Sequence, residues 1–172
     1  MGNKDYLTVP YTRELQKLYA HKFDCGNDLI SGILKSEDSL RDMIGKTYVM
    51  LDEEKKRIIG YYNISTGDLA DGSYVRLGGS IYIKYFAVDC DYQDTKWDDD
   101  YLADVLLVDC MNRIMEIRET SVGFAFVTLS STKEGLHLYE RNDFSRLEDD
   151  MILAKGEKEN ECIPMYLPID YE

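Results

Sequence analysis

The chain has 172 residues, is 44% hydrophobic and 31% charged, and carries 33 acidic against 20 basic side chains for a net charge of −13. That is the composition of a soluble globular chain long enough for one core. The acid excess disfavours a nucleic-acid or anionic-lipid surface, which needs a basic face. No apolar run reaches the ~18–20 residues that cross a bilayer, and neither end reads as a targeting signal. Cys25, Cys90, Cys110 and Cys162 lie far apart, with no CxxC pair and only two histidines to help. A structural metal is not expected, and reduced thiols in a cytoplasmic protein are.

In chain order, Tyr6–Val9 alternates as a first strand. Thr12 can cap a helix over Arg13–Ala20. Gly26 and Asn27 form a turn, and Asn27 or Asp28 caps a helix with Leu29, Ile30, Ile33 and Leu34 on its apolar side. Ser36 starts another helical turn, and Gly45 stops it. Residues 47–51 and 57–67 are strands around a charged turn, hence a hairpin. Asp68–Gly79 reads as a polar excursion long enough to be a functional loop. The run from Ile81 to Asp89 is the next strand. Tyr101–Arg118 is the longest helix, with Ala103, Leu106, Leu107, Cys110, Ile114 and Ile117 at three- and four-residue steps. Val122–Leu129 is nearly all apolar, as a strand covered on both faces is. Ser130 and Ser131 can cap a helix over Thr132–Arg141. Phe144–Leu153 and Cys162–Ile169 are the last strands, joined by an acidic turn over 155–161. No repeat or linker appears, so a single domain over 1–172 is expected.

This order describes an α/β (α+β) mixed sheet with helices on both faces. The strand–helix–strand unit over 81–129 is expected to be parallel and right-handed. Ligands of such sheets sit at the carboxyl ends of the parallel strands, which points to Val88–Asp98 and to Leu129–Thr132. A strand that empties into a helix N-terminus is also an anion site, because the first helical N–H groups point outward.

Four pieces of sequence resemble the GNAT superfamily of N-acetyltransferases. They are Y-F-A-V-D-C-D-Y-Q at 85–93, the long helix with Leu106-Leu107, the strand V-G-F-A-F-V-T-L, and L-Y-E-R-N-D-F at 138–144, which is similar to F-Y-E-K-x-G-F. F-D-C-G-N-D-L at 23–29 and I-I-G-Y-Y-N-I-S at 58–65 look like the toxin-acetyltransferase subgroup of bacterial toxin–antitoxin pairs. The resemblance covers nearly the whole chain. It implies a GNAT-like acyl-CoA N-acyltransferase fold and acetyl-CoA as co-substrate. It implies backbone contacts to the coenzyme from Phe86, Ala87 and Val88, and Tyr139 as the acid that protonates the leaving sulfur. Homodimers are common in that family.

The pyrophosphate cradle departs from the family pattern Q/R-x-x-G-x-G/A. Gln93 leads into D-T-K-W-D-D-D, and no glycine stands between Cys90 and Asn112. Glycine lets backbone approach phosphate closely. Each exposed carboxylate beside an anion costs about 1 kcal/mol. Two readings stay open here. In one the cradle is remodelled: Gln93, Thr95 and Lys96 give donors, Trp97 and Asp98 occupy the cradle backbone, and the aspartates turn outward. In the other Asp94, Asp98, Asp99 and Asp100 are helix caps, and the anion site is gone.

Other residues read more plainly. His21 and His137 are surface histidines. Cys90 is a structural cysteine. Ser130 and Ser131 are caps first and ligand contacts second. Thr132 stands where the family often has Asn and contacts pantetheine. Asp89 is a solvated strand-end carboxylate. The expected function is an acetyl-CoA-dependent N-acetyltransferase acting on an amine. Charge favours a cationic small molecule or basic peptide over nucleic acid. The alternatives are a module of the same fold that has lost coenzyme binding, and a toxin acetylating aminoacyl-tRNA.

Overall fold

The computed structural model describes residues 5–153 and 162–169. The chain divides into two compact units, one of residues up to Ile64 with Tyr85–Met115, the other of Ser65–Lys84 with residues from Glu116 onward. Two strands, β3 (Arg57–Asp71) and β4 (Arg76–Val88), and the helix α3 (Leu102–Thr120) contribute residues to both. No described helix is long and apolar enough to cross a membrane.

In the first unit, β1 (Val9–Pro10) lies antiparallel to β2 (Lys46–Asp52), with Val9 opposite Val49. The first strand is therefore shorter and later than Tyr6–Val9. Pro10 lacks an N–H and closes it at the sheet edge. β2 and β3 form the expected hairpin, running from Lys46↔Ile64 to Asp52↔Arg57 with a bulge at Met50/Leu51. Two helices precede it. α1 (Arg13–Tyr19) is capped by the Thr12 hydroxyl, which accepts from Leu15 N, and it tightens into a 3-10 turn over Ala20–Lys22. α2 (Asp28–Lys35) is capped by Asn27, which accepts from Ile30 N. Ser36 caps the 3-10 turn Glu37–Leu40.

The core of this unit gathers Ala20, Phe23, Leu34, Val49, Ile58, Tyr61 and Ala87. Phe23 meets Tyr61 edge to face at 5.6 Å, and the buried Tyr61 hydroxyl donates to Ile30 O at 2.6 Å. Burying a side chain the size of Leu34 contributes about 2 kcal/mol. Gly60 faces β4 and α3 so closely that a Cβ there would stand 2.8 Å from Ala87 O and 2.9 Å from Leu106 Cδ2. Gly60→Ala is expected to cost about 2–3 kcal/mol through overpacking and to lower the melting temperature by about 5–10 °C. An unchanged melting curve would contradict this packing. Two short strands, β5 (Lys96–Trp97) and β6 (Asp100–Tyr101), pair in a separate hairpin before α3.

In the second unit, β3 and β4 continue as a hairpin where the sequence suggested a long loop. Only residues 72–75 turn. Asp71 makes this possible: its carboxylate accepts from Ser73 N and Val75 N, and its own N donates to Val75 O. β7 (Phe126–Ser131) runs parallel to β4, from Ser80↔Phe126 to Ile83↔Leu129. It starts later than Val122, because Ala125 N is already taken by Gly79 O. Its Val127–Leu129 stretch is buried. α4 is one short helix, Leu136–Glu140. The stretch from Phe144 to Leu153 breaks into β8 (Ser145–Arg146) and β9 (Met151–Leu153), the latter on β3 at Leu69–Asp71. β10 (Ile163–Pro168) lies antiparallel to β7 and carries β8 on its other edge. The acidic turn expected over 155–161 lies outside the described residues.

Candidate functional site

The strand end at Phe86–Val88 belongs to the first unit. The ladder between β4 and β7 stops at Ile83, yet β4 runs on to Val88. Asp89 N donates to Ile59 O at 2.8 Å. Strand groups alternate in direction, so the Val88 N–H and C=O face the opposite edge of β4. Val88 O there accepts from Gln93 Nε2 at 2.8 Å. Ala87 and Val88 are buried and Phe86 is half-buried.

Asp89 is not the solvated carboxylate the sequence suggested. It is 1% exposed. Its Oδ1 accepts from Arg57 Nη2 at 3.0 Å and Asp91 N at 2.9 Å, and its Oδ2 accepts from Asp24 N at 3.0 Å. Arg57 also donates to Asp91 at 2.6 Å and lies over the Tyr92 ring. The Tyr92 hydroxyl donates to Asp52 at 2.7 Å. Burial first and the Asp52 carboxylate next push the Tyr92 phenol up to about 12. A buried carboxylate with this donor set fixes the strand end to β3 and to the turn before α2.

The loop that follows spends its side chains on itself. Gln93 Nε2 donates to Val88 O and Cys25 O, so it anchors backbone rather than offering a donor outward. Thr95 O accepts from Leu102 N at 2.9 Å, closing the β5–β6 hairpin at the mouth of α3. Lys96 Nζ sits 5.0 Å from the Tyr101 ring, and Trp97 is 46% exposed. Asp94, Asp98, Asp99 and Asp100 are exposed, and none makes a side-chain hydrogen bond to another described residue. They are not helix caps, because the hairpin carries them into solvent instead. Asp94 and Asp98 have φ of +62° and +54°. Asp98 stands at the last Gly/Ala of the resembled cradle, and aspartate is among the few residues that tolerate this conformation. A positive φ is thus kept at that one position, and solvated carboxylates oppose an anion there by about 1 kcal/mol each. Leu102 N, Gln93 N and Thr95 N already donate to Thr95 O, Asp89 O and Tyr92 O, so a phosphate there would draw on the Val88 N–H at the strand end and on the remaining turn amides.

The second unit holds Ser130, Thr132 and Tyr139. Thr132, not Ser130 or Ser131, caps the turn into α4: its hydroxyl accepts from Gly135 N at 3.2 Å. The Ser131 hydroxyl donates to Thr132 O at 2.7 Å. Ser130 pairs through its backbone opposite Pro164. Tyr139 is buried and meets Phe144 edge to face at 5.9 Å. Its carbonyl accepts from Asn142 N and Phe144 N. The turn between them runs through Asp143 at φ +70°. There too aspartate replaces a glycine of the resembled motif. His137 lies exposed beside Glu140, as its two-residue offset from Tyr139 on the helix requires.

A polar cluster in the first unit escaped the sequence reading. Asp109, on the apolar side of α3, is 5% exposed. It accepts from Leu7 N at 2.7 Å, Thr8 Oγ1 at 2.6 Å and Tyr62 OH at 2.8 Å. Arg113, one turn on, donates to Tyr62 OH and Thr8. Its guanidinium lies 3.9 Å from the Tyr6 ring and 4.0 Å from the Tyr48 ring. The only sequence signal was an aspartate and an arginine four apart, which usually means an exposed helix pair. These groups satisfy one another and tie the first residues to α3. Cys90 is exposed, and burial of its thiol with the Asp24 and Asp89 carboxylates pushes its pKa up, so its nucleophilic thiolate forms only as pH rises.

No protein-family model matches the chain, and no curated protein matches it in sequence. Solved structures do match along nearly its full length. A structure described as a bacterial toxin aligns at a TM-score of 0.73 with 18% identity, over 95% of this chain and 90% of its own. A mutant AtaT toxin, bound to the C-terminus of the antitoxin AtaR and acetyl-CoA, aligns at 0.68 with 18% identity over 96% and 94%. AtaT complexed with acetyl-methionyl-tRNAfMet aligns at 0.67 with 19% identity over 95% of each chain. AtaT, which has this fold, is complexed there with a tRNA, so the fold by itself does not exclude nucleic acid, against the expectation drawn from charge. The chain has the GNAT-like acyl-CoA N-acyltransferase fold of these toxin structures.

Proposed function

We propose that the chain is an acetyl-CoA-dependent N-acetyltransferase of the toxin type, with the amino group of an aminoacyl-tRNA as acceptor. The observation that carries the reading is β4, which leaves its ladder with β7 at Ile83 and runs on to a buried end clamped by Asp89. When bound, acetyl-CoA supplies an acetyl group already activated as a thioester. The strand end Phe86–Val88 and the Gln93–Asp98 turn are assigned to the coenzyme, Ser130 and Thr132 to its pantetheine arm, and Tyr139 to the proton that the leaving sulfur needs. The toxin structures named above support this reading, one of them through acetyl-CoA and another through tRNA. Against the charge of −13 stand Lys17, Lys22 and Lys35, which are exposed and make no ion pair with described residues. They offer phosphate contacts on α1, the 3-10 turn after it and α2.

Calorimetric titration with acetyl-CoA tests the first half. Binding in the micromolar range is expected, and none at millimolar coenzyme would favour the non-catalytic module. Transfer of labelled acetyl to charged tRNA, to spermidine and to a lysine-rich peptide tests the second. Label in the tRNA alone, with growth arrest on expression, is expected. Label in the amine or peptide alone would return the acceptor to the cationic class.

A further inference from the structure

The first unit brings the backbones of two cysteines together, although the sequence separates them widely. Cys90 N donates to Asp24 O at 2.8 Å. A trans peptide sets the next Cα on the same side as that oxygen, so the Cys25 and Cys90 Cα atoms lie about 5–6.5 Å apart by standard geometry. Disulfides span roughly 4.4–6.8 Å. Two further bonds hold these backbones in place, Asp24 N to Asp89 Oδ2 at 3.0 Å and Gln93 Nε2 to Cys25 O at 3.1 Å. Cys90 Sγ lies 3.4 Å from where a side chain on Gly26 would begin, so it points toward the Cys25–Gly26 segment. Cys25 Sγ rests 3.2 Å from Ser31 Oγ and 3.6 Å from Asn27 O. Those are weak sulfur contacts that one χ1 rotation gives up. Cys90 is exposed and Cys25 half-buried, whereas Cys110 is sealed in the core.

We propose that Cys25 and Cys90 are a reversible redox pair that closes to an intramolecular disulfide on exposure to a peroxide. The Cys90 thiolate attacks one peroxide oxygen. The O–O bond breaks, and hydroxide leaves to be protonated to water. Cys90 is then a sulfenic acid. The Cys25 sulfur attacks the Cys90 sulfur, the S–S bond forms, the S–O bond breaks, and hydroxide leaves as water with the Cys25 proton. Two thiols and one peroxide give one disulfide and two waters. Because burial and the Asp24 and Asp89 carboxylates raise the Cys90 thiol, closure quickens as pH rises toward the thiol range. Closed, the bridge fastens the turn before α2 to the residue that opens the segment Cys90–Gln93. The pair does not depend on the transferase reading.

The full chain is treated with hydrogen peroxide, blocked with N-ethylmaleimide without reductant, digested and mapped by mass spectrometry. A Cys25–Cys90 cross-linked peptide is expected, lost on dithiothreitol. In Cys25→Ser the sulfenic acid on Cys90 has no resolving partner, and dimedone labelling of Cys90 should rise at least fivefold over the unaltered chain. Equal dimedone labelling in both proteins would overturn the proposal. So would cross-links confined to Cys162 or to a second chain. Because the unaltered chain gives the cross-link readout, misfolding of the variant would not leave the question open.

Discussion

Tyr139→Phe is expected to lower kcat for acetyl transfer by about 10²–10⁴-fold, the range for loss of a positioned general acid, while leaving the dissociation constant for acetyl-CoA within about twofold. The two readouts separate because the role proposed for the phenol is on the leaving sulfur, whereas the proposed coenzyme contacts come from backbone of β4 and the loop after it. The fold should survive, since phenylalanine keeps the ring that meets Phe144 at 5.9 Å. Single-turnover transfer with saturating coenzyme measures kcat, and calorimetry measures binding. An undiminished rate would remove Tyr139 from the chemistry and leave it as a packing residue between α4 and Phe144. A lost rate with lost binding would mean that the ring, not the proton, was the contribution.

Asp89→Ala is expected to be the most destabilising single change in the first unit. It removes a carboxylate that is 1% exposed and leaves Arg57, whose side chain is 20% exposed, with only Asp91 to answer it. Breaking a buried pair from one side costs about 3–5 kcal/mol, which for a chain of this size lowers the melting temperature by about 6–15 °C. Asp24 N and Asp91 N lose their acceptor at the same time. The double variant Asp89→Leu with Arg57→Met should recover part of the loss, because no uncompensated charge then remains. Thermal denaturation of the two singles and the double gives the coupling. A melting temperature within a degree of the unaltered chain for Asp89→Ala would show that the clamp carries no weight. If the transferase reading holds, the same variant should weaken acetyl-CoA at temperatures where it is still folded, because the strand end loses its tether.

Local chemistry read well from the sequence. Thr12 caps the helix it was expected to cap, and Asn27, one of two candidates with Asp28, caps the next, since a cap needs only the next three residues. The β2–β3 hairpin follows from two apolar runs around a charged turn, and the parallel β4–β7 pair from the helix that crosses between them in sequence. The order of four short motifs was enough to name the fold. Strand limits were less legible. Asp71 closes a four-residue turn with its side chain, and that kept Asp68–Gly79 in the sheet although its composition is that of a loop.

The site shows the same division. The sequence determined which residues stand at the strand end, that the stretch after Gln93 lacks glycine, and that Tyr139 falls in the stretch resembling F-Y-E-K-x-G-F. The tertiary structure decided what each of them does locally. Asp89 became a clamp because Arg57, Asp24 and Asp91 converge on it from separate stretches of chain. Asp109 became a buried hub because Leu7, Thr8 and Tyr62 converge on it. The aspartates after Gln93 became the exposed turn of a hairpin because Thr95 O takes the first amide of α3. A helix cap or a turn is set by residues a few positions apart, so sequence alone carries it. Whether a carboxylate is buried and paired depends on donors that only the folded chain brings within 3 Å, as with Arg57 Nη2 on Asp89.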